Sequence, residues 1–280
     1  MARTLLVGLD ESPWGQAAAE TALRIAELSA TPRRLVGLHV VGVTHLSGDL
    51  VRDLAGLLGF EPVLVPEQVE LVYRRRGAKL LERFKLQAVK RGLDVRTLLE
   101  TGAQVPRMVH HAASADLTLV GVRGESEDQD PGTGGGRVER FVKHAPHNVL
   151  VTGRQPVDLA AGVTLGFDGS QGALCALRAV RNLLGGAPMP VQVVHVGAPR
   201  VKGVDPLDEA REELEGSGLD CSFVHVEGEP HEALAGAAEE AGHQLLALGY
   251  RGRSVLGGLL LGRVTEQLLG RASLSLLIAR

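Results

Sequence analysis

The feature that most constrains this chain is an internal repeat. Val7-Gly8-Leu9-Asp10-Glu11-Ser12 returns as Leu165-Gly166-Phe167-Asp168-Gly169-Ser170. Leu38-His39-Val40 returns as Val194-His195-Val196, and Gly92-Leu93-Asp94 as Gly218-Leu219-Asp220. Glu100-Thr101-Gly102 returns as Val226-Glu227-Gly228. Gly121-Val122-Arg123-Gly124 returns as Gly249-Tyr250-Arg251-Gly252, and Gly136-Arg137-Val138 as Gly262-Arg263-Val264. Matches in one unbroken order mark a duplicated unit. A chain of 280 residues holds two domains of ordinary size. We place them at 1–153 and 161–280, divided by a polar stretch containing Pro156.

Each copy alternates apolar runs with helical periodicity. In the first, strands are expected at 5–9, 35–41, 95–99, 117–122 and 149–152. Helices are expected around Ala18, Ala22, Ile25 and Ala26, over 77–91, around Val105, Met108, Val109 and Ala112, and over 138–144. The second copy repeats this, with strands at 163–167, 191–196, 222–226, 245–248 and 274–279. Its helices are expected near 173–184, 205–215, 232–241 and 264–269. Aromatics make up only 3% of the chain, so its core must be Val, Leu, Ala and Ile, which suits strands buried on both faces. The fold class is therefore α/β: two tandem, doubly wound, parallel five-stranded sheets. The first copy also carries an insert, about 42–76, with Pro62 and Pro66, read as a cover or interface segment.

Charge and cysteine usage narrow the function classes. A net charge of −3 leaves no large basic footprint for nucleic acid. The run Arg74-Arg75-Arg76 with Lys79 reads as a solvated helix start. Cys175, on a helix, and Cys221, on a strand, read as buried reduced thiols. No apolar stretch approaches the ~20 residues that span a bilayer. A strand-like run directly follows Met1, so no signal peptide is expected, and the cytoplasm is the default compartment.

In doubly wound sheets, ligands bind beyond the carboxyl ends of strands where strand order reverses. Asp10 and Asp168 follow the first strand of each copy, and the loops opening at Gly121 and Gly249 follow the fourth. The second loop reads Gly249-Tyr250-Arg251-Gly252, nine residues, then Gly262-Arg263-Val264-Thr265. Glycines let backbone approach phosphate, the following helix offers free N–H groups, and Thr265 adds a hydroxyl. The first loop is longer: Gly124 is separated by eleven residues from Gly136. Those eleven include an acidic stretch from Glu125 to Asp130, which repels phosphate unless it points outward or helps hold a divalent cation. Ser12 and Ser170 are candidate N-caps, a role compatible with Asp10 and Asp168 also meeting a ligand. His39 and His195 read as strand-end packing groups.

Several chemistries are excluded. No Gly-Lys-Ser/Thr completes a Walker A loop, and no glycine triplet follows the first strand. Gly-x-Ser-x-Gly is missing, as are zinc-finger spacings.

Taken together, Leu5-Leu6-Val7-Gly8-Leu9-Asp10-Glu11-Ser12, the spacing of Gly249, Gly252 and Gly262, and Arg140-Phe141-Val142-Lys143-His144-Ala145-Pro146 resemble the universal stress protein family in its tandem form. The resemblance covers nearly the whole chain. It implies strand order 3-2-1-4-5 in each half, pairing of halves through the fifth strand, and further association of two chains. It also implies ATP, often with Mg²⁺, with adenine against backbone near Val40 or Val196. The contacts implied in the first half are Gly8, Asp10, Glu11, Ser12, Val40, Gly121, Arg123, Gly124, Gly135, Gly136, Arg137 and Val138. Those in the second are Gly166, Asp168, Gly169, Ser170, Val196, Gly249, Arg251, Gly252, Gly262, Arg263, Val264 and Thr265. The family motif is Gly-x2-Gly-x9-Gly-Ser/Thr, and Arg263 stands at its hydroxyl position. In the first half, matching 140–146 puts Gly135 last and Gly136 at that position. Matching the other half puts Gly136 last, followed by Arg137. The resemblance implies a stress-response or regulatory nucleotide sensor with at most slow ATP hydrolysis. An interaction protein of the same fold without nucleotide is the alternative. An adenylating enzyme ranks last, because the pyrophosphate loop expected after strand one is absent.

Overall fold

The computed structural model describes residues 3–29, 33–42, 66–124, 136–184, 189–198, 205–250, 261–269 and 274–280. The first half runs β1 (Arg3–Gly8), α1 (Pro13–Leu28), β2 (Arg33–Gly42), α2 (Pro66–Lys90), β3 (Asp94–Gly102), α3 (Gln104–Ala112), β4 (Leu117–Gly121), α4 (Gly136–His144) and β5 (Asn148–Thr152). The second runs β6 (Val163–Gly166), α5 (Gln171–Ala179), β7 (Pro190–Val196), α6 (Pro206–Leu214), β8 (Asp220–Val226), α7 (Pro230–Glu240), β9 (Leu245–Gly249), α8 (Arg263–Leu269) and β10 (Ser275–Ala279).

These strands form one ten-stranded sheet, ordered β3-β2-β1-β4-β5-β10-β9-β6-β7-β8. Within each half all pairs are parallel, in order 3-2-1-4-5. The halves meet antiparallel at β5 and β10, with Leu277 opposite Leu150. Pairing through the fifth strand is thus built into one chain.

Strand side chains alternate between the faces of the sheet, which explains the two core layers. Leu5 and Val7 belong to a buried layer that also holds Ala22 of α1, Phe84 of α2, Leu177 of α5 and Ala210 of α6. Leu6 points the other way, with Ala112 of α3, Phe141 of α4, Ala238 of α7 and Leu268 of α8. Each layer runs through both halves, so the core is continuous across the β5–β10 seam. Among the described residues, no helix is long and apolar enough to cross a membrane.

Two expectations need correction. Residues 66–76, assigned to the insert, are the first turns of α2, which starts eleven residues before the expected 77. Arg74, Arg75 and Arg76 therefore lie inside a helix. Gly42 belongs to β2, and 43–65 lie outside the described residues. Cys175 and Cys221 are free thiols as expected, but half-buried rather than buried. Burial and nearby Asp220 raise the Cys221 pKa.

Candidate functional site

β1 and β4 are neighbours, so Asp10 and the loop after Gly121 open on one crevice. His39 Nδ1 sits 2.7 Å from the Leu9 carbonyl oxygen, and His195 Nδ1 2.8 Å from that of Phe167. His195 is buried, whereas His39 also lines the cavity beside it. In the first half the crevice is a cavity of about 460 Å³. Gly8, Asp10, Glu11, Val40, Gly121, Arg123, Gly124, Arg137 and Val138 line it.

Asp10 is held by the turn that starts α1. Its Oδ1 accepts from Ser12 N at 3.0 Å and from Ser12 Oγ at 2.5 Å. Ser12 Oγ accepts in turn from Gly15 N at 3.0 Å, which makes Ser12 the N-cap. Asp10 packs so tightly on α1 that a Cβ on Gly15 would fall 2.1 Å from Oδ1. On the other side, a Cβ on Gly124 would stand 3.4 Å from Asp10 Oδ2, so the loop leaves β4 directly beside the carboxylate.

Charges surround this group. Glu11 takes ion pairs from Arg76 and Arg83, two guanidinium groups of α2. Arg123 stacks 5.8 Å from the Trp14 ring centroid. Arg137 Nη1 donates to Gln104 Oε1 at 3.3 Å, and Gln104 Nε2 donates to the Val40 oxygen at 3.5 Å.

The residues of the second half are arranged differently. Ser170 caps α5 by accepting from Ala173 N at 3.1 Å, and Asp168 Oδ1 accepts from Ser170 N at 2.9 Å. Ala173, however, occupies the repeat position of Gly15, and its methyl group would collide with a carboxylate placed like that of Asp10. The intervening Gly169 adopts a left-handed φ of 71°, where the first half has Glu11. Asp168 thus keeps the bond to the serine N, on a turn whose backbone differs at the middle residue. Thr265, expected to offer a hydroxyl outward, is buried and donates to the Gly249 oxygen at 3.3 Å. Its one proton is committed, and a phosphate oxygen needs a donor. Arg263 is exposed, Val196 and Val264 are half-buried, and Gly262 N closes onto the Tyr250 oxygen at 3.0 Å.

Some motif glycines serve packing. A Cβ on Gly121 would fall 2.7 Å from Trp14 Cβ, and one on Gly249 2.3 Å from the Gly172 carbonyl carbon. Each lets the first helix of its half rest on the fourth strand. Gly166 is enclosed by Leu248 and Leu234. Gly136 opens α4, and among the described residues nothing lies within 4 Å of where its Cβ would stand. Gly135, the acidic stretch, Arg251 and Gly252 lie outside the described residues.

A family model described as "Universal stress protein family" matches residues 1–153 and 201–280. The chain belongs to the universal stress protein family. Universal stress protein Slr1230 of Synechocystis is 26% identical over 232 residues, covering 80% of each chain. A universal stress protein structure from Archaeoglobus fulgidus DSM 4304 superposes with a TM-score of 0.71 at 17% identity, covering 99% of this chain and 98% of that one. The functionally unknown protein PA1789 of Pseudomonas aeruginosa PAO1 gives 0.61 at 14%, covering 99% and 92%. At such identities the two structures speak for the fold alone. In this universal stress protein the second family match begins at 201, beyond β6, α5 and β7. Asp168 and Val196 lie in that unmatched stretch, the same stretch whose turn departs from the first half.

The sequence assigns no site role to Tyr73, Arg76, Gly77, Gln104, Val105 or Met108, which also line the cavity. Tyr73, Arg76 and Gly77 lie on the part of α2 read as insert or helix start. Gln104 had a signal: its repeat partner, two residues after the matching glycine, is Pro230.

Proposed function

We propose that this universal stress protein binds one ATP in its first-half cavity and acts as a regulatory nucleotide sensor. The observation supporting this is the cavity of about 460 Å³ that joins Asp10, Val40, Gly124 and Arg137. Its size suits a nucleotide. In this reading the base lies against the Val40 backbone and Asp10 accepts from ribose hydroxyls. The phosphates follow the loop from Gly124 toward the amino end of α4, where free N–H groups and Arg137 favour anions. Mg²⁺ would travel with the phosphates, since no group of three or more His, Cys, Asp or Glu side chains gathers among the described residues. Hydrolysis is at most slow. Two such chains associate through a surface other than β5, whose edge β10 already covers.

The second half is read as a brace. Tyr250 OH and Arg280 Nη2 both donate to the Lys143 oxygen at the end of α4, at 3.3 and 3.0 Å. The interaction-protein reading applies best to this half, where Ala173 and Thr265 are set against a cradle.

Calorimetry with Mg²⁺, and mass spectrometry of nucleotide released on denaturation, test the reading. One ATP per chain is expected. Gly124→Val should weaken its binding, because the added side chain fills the cavity wall beside Asp10, and Gly252→Val should leave it unchanged. No nucleotide by either method would overturn the assignment. Two per chain, with Gly252→Val reducing the count to one, would overturn the inequality of the halves.

A further inference from the structure

Gln104 is the first residue of α3, and its side-chain amide is the middle of a three-group link in the cavity wall. One end is the carbonyl of Val40. Carbonyls two residues apart on a strand point to the same edge. Leu9 N donates to the Leu38 oxygen at 2.8 Å, so that edge of β2 faces β1. β1 ends at Gly8, and the Val40 oxygen therefore points into space beyond its end. Gln104 Nε2 meets it there at 3.5 Å. The other end is Arg137 on the first turn of α4, whose Nη1 reaches Gln104 Oε1 at 3.3 Å. One amide group thus bonds both the Val40 carbonyl, where the ATP reading puts the base, and the Arg137 guanidinium, where it puts the phosphates.

The second half lacks this bridge. Phe167 N donates to the Val194 oxygen at 2.9 Å, so Val196 presents its carbonyl in the same way. Yet the first residue of α7 is Pro230, which has no side-chain amide, and Arg263 is exposed.

We infer that Gln104 is a positioning residue that couples the two ends of the cavity, making the site selective for a purine carrying both an exocyclic amine and a phosphate chain. This rests on the ATP reading above. An amine can replace Gln104 Nε2 at the Val40 oxygen, and a phosphate can replace Gln104 Oε1 at Arg137. Once either replacement has occurred, the amide is held at one end only and yields the other more easily. The two ligand groups therefore bind cooperatively. Hydrogen bonds of this kind put the coupling at about threefold to tenfold in affinity.

The test uses the full chain and four ligands: adenosine, ATP, purine riboside without the 6-amino group, and its 5′-triphosphate. Fluorescence of the chain's one tryptophan, Trp14, which packs against Gly121 and Arg123, reports binding, with calorimetry beside it. In the wild type, adding the triphosphate should strengthen adenosine about threefold to tenfold more than it strengthens purine riboside. In Gln104→Ala that excess should fall to about one. Gln104→Glu keeps an acceptor for Arg137 and makes it anionic, so the gain from the triphosphate should shrink for both bases. An equal excess in wild type and Gln104→Ala overturns the coupling. A Gln104→Glu variant indistinguishable from Gln104→Ala overturns the Arg137 link. If ATP binds the wild type without any excess, only the inference on Gln104 falls. If ATP does not bind at all, the ATP reading falls with it.

Discussion

At the scale of single residues, Gly15 decides how Asp10 is held. The missing Cβ leaves room for a carboxylate that would otherwise lie 2.1 Å away. Alanine is a better helix former than glycine, and even in the first turn this offsets part of what Asp10 loses by moving. Gly15→Ala should therefore change thermal stability little. ATP affinity should fall at least about tenfold, the scale of one hydrogen bond to a charged group. Unchanged affinity by calorimetry would show that Asp10 is not a contact. Legibility is uneven at this scale. Asp10 and Ser12 stand out because the repeat carries them as Asp168 and Ser170. Gly15 does not, because its meaning lies in the difference from Ala173. Gln104 against Pro230 is hidden for the same reason, since a search for matches passes over positions where the copies diverge.

At the scale of elements, α2 shows where periodicity fails. Leu71 and Val72 are 48% and 63% exposed, so this part of α2 does not lay its apolar residues on the core as an amphipathic pattern requires. Pro66 reads as a loop marker, although proline is well tolerated in the first turn of a helix. The charge run then looks like a solvated start, while Arg76 lies in the cavity wall and bonds Glu11. The turn between α7 and β9 carries a second lesson. His243 is buried there with Nδ1 2.9 Å from Thr164 Oγ1, and Thr164 Oγ1 donates to Gln192 Oε1 at 3.3 Å. The Nε2 edge of the ring lies against Gly162, where a Cβ would lie 2.5 Å away. Burial pushes the His243 pKa below the ordinary 6.5. The unfolded chain then binds the extra proton first, so stability should fall as pH drops through 6.5 and level off below the lowered folded value. His243→Gln should remove this slope. Urea midpoints between pH 8 and pH 5 that fall equally in wild type and variant would refute the role given to His243.

At the scale of the whole molecule, the seam explains why the chain is duplicated yet unequal. Strand order and the pairing of halves were legible only through the family resemblance, because apolar runs mark strands without saying which strand lies beside which. The divergence was not legible, because it resides in what each half does for the other. Val142 and Lys143 end α4 with carbonyls that accept from Arg280 Nη2 at 2.8 and 3.0 Å. Arg280 also lies 3.6 Å over the Tyr250 ring, and Lys143 reaches Glu266 at 3.4 Å. A cation at the carboxyl end of a helix complements its dipole, so the second half steadies the helix that carries Arg137 at its other end. A chain ending after residue 158 would lose these contacts and bare the edge of β5. Exposed apolar edges seek another strand, and a β5–β5 antiparallel pair repeats the geometry of the seam. The shortened chain should therefore run as a dimer in light scattering, with ATP bound more weakly than in the full chain. A folded monomer with undiminished ATP affinity would mean that neither the β5 edge nor the Arg280 brace depends on the second half.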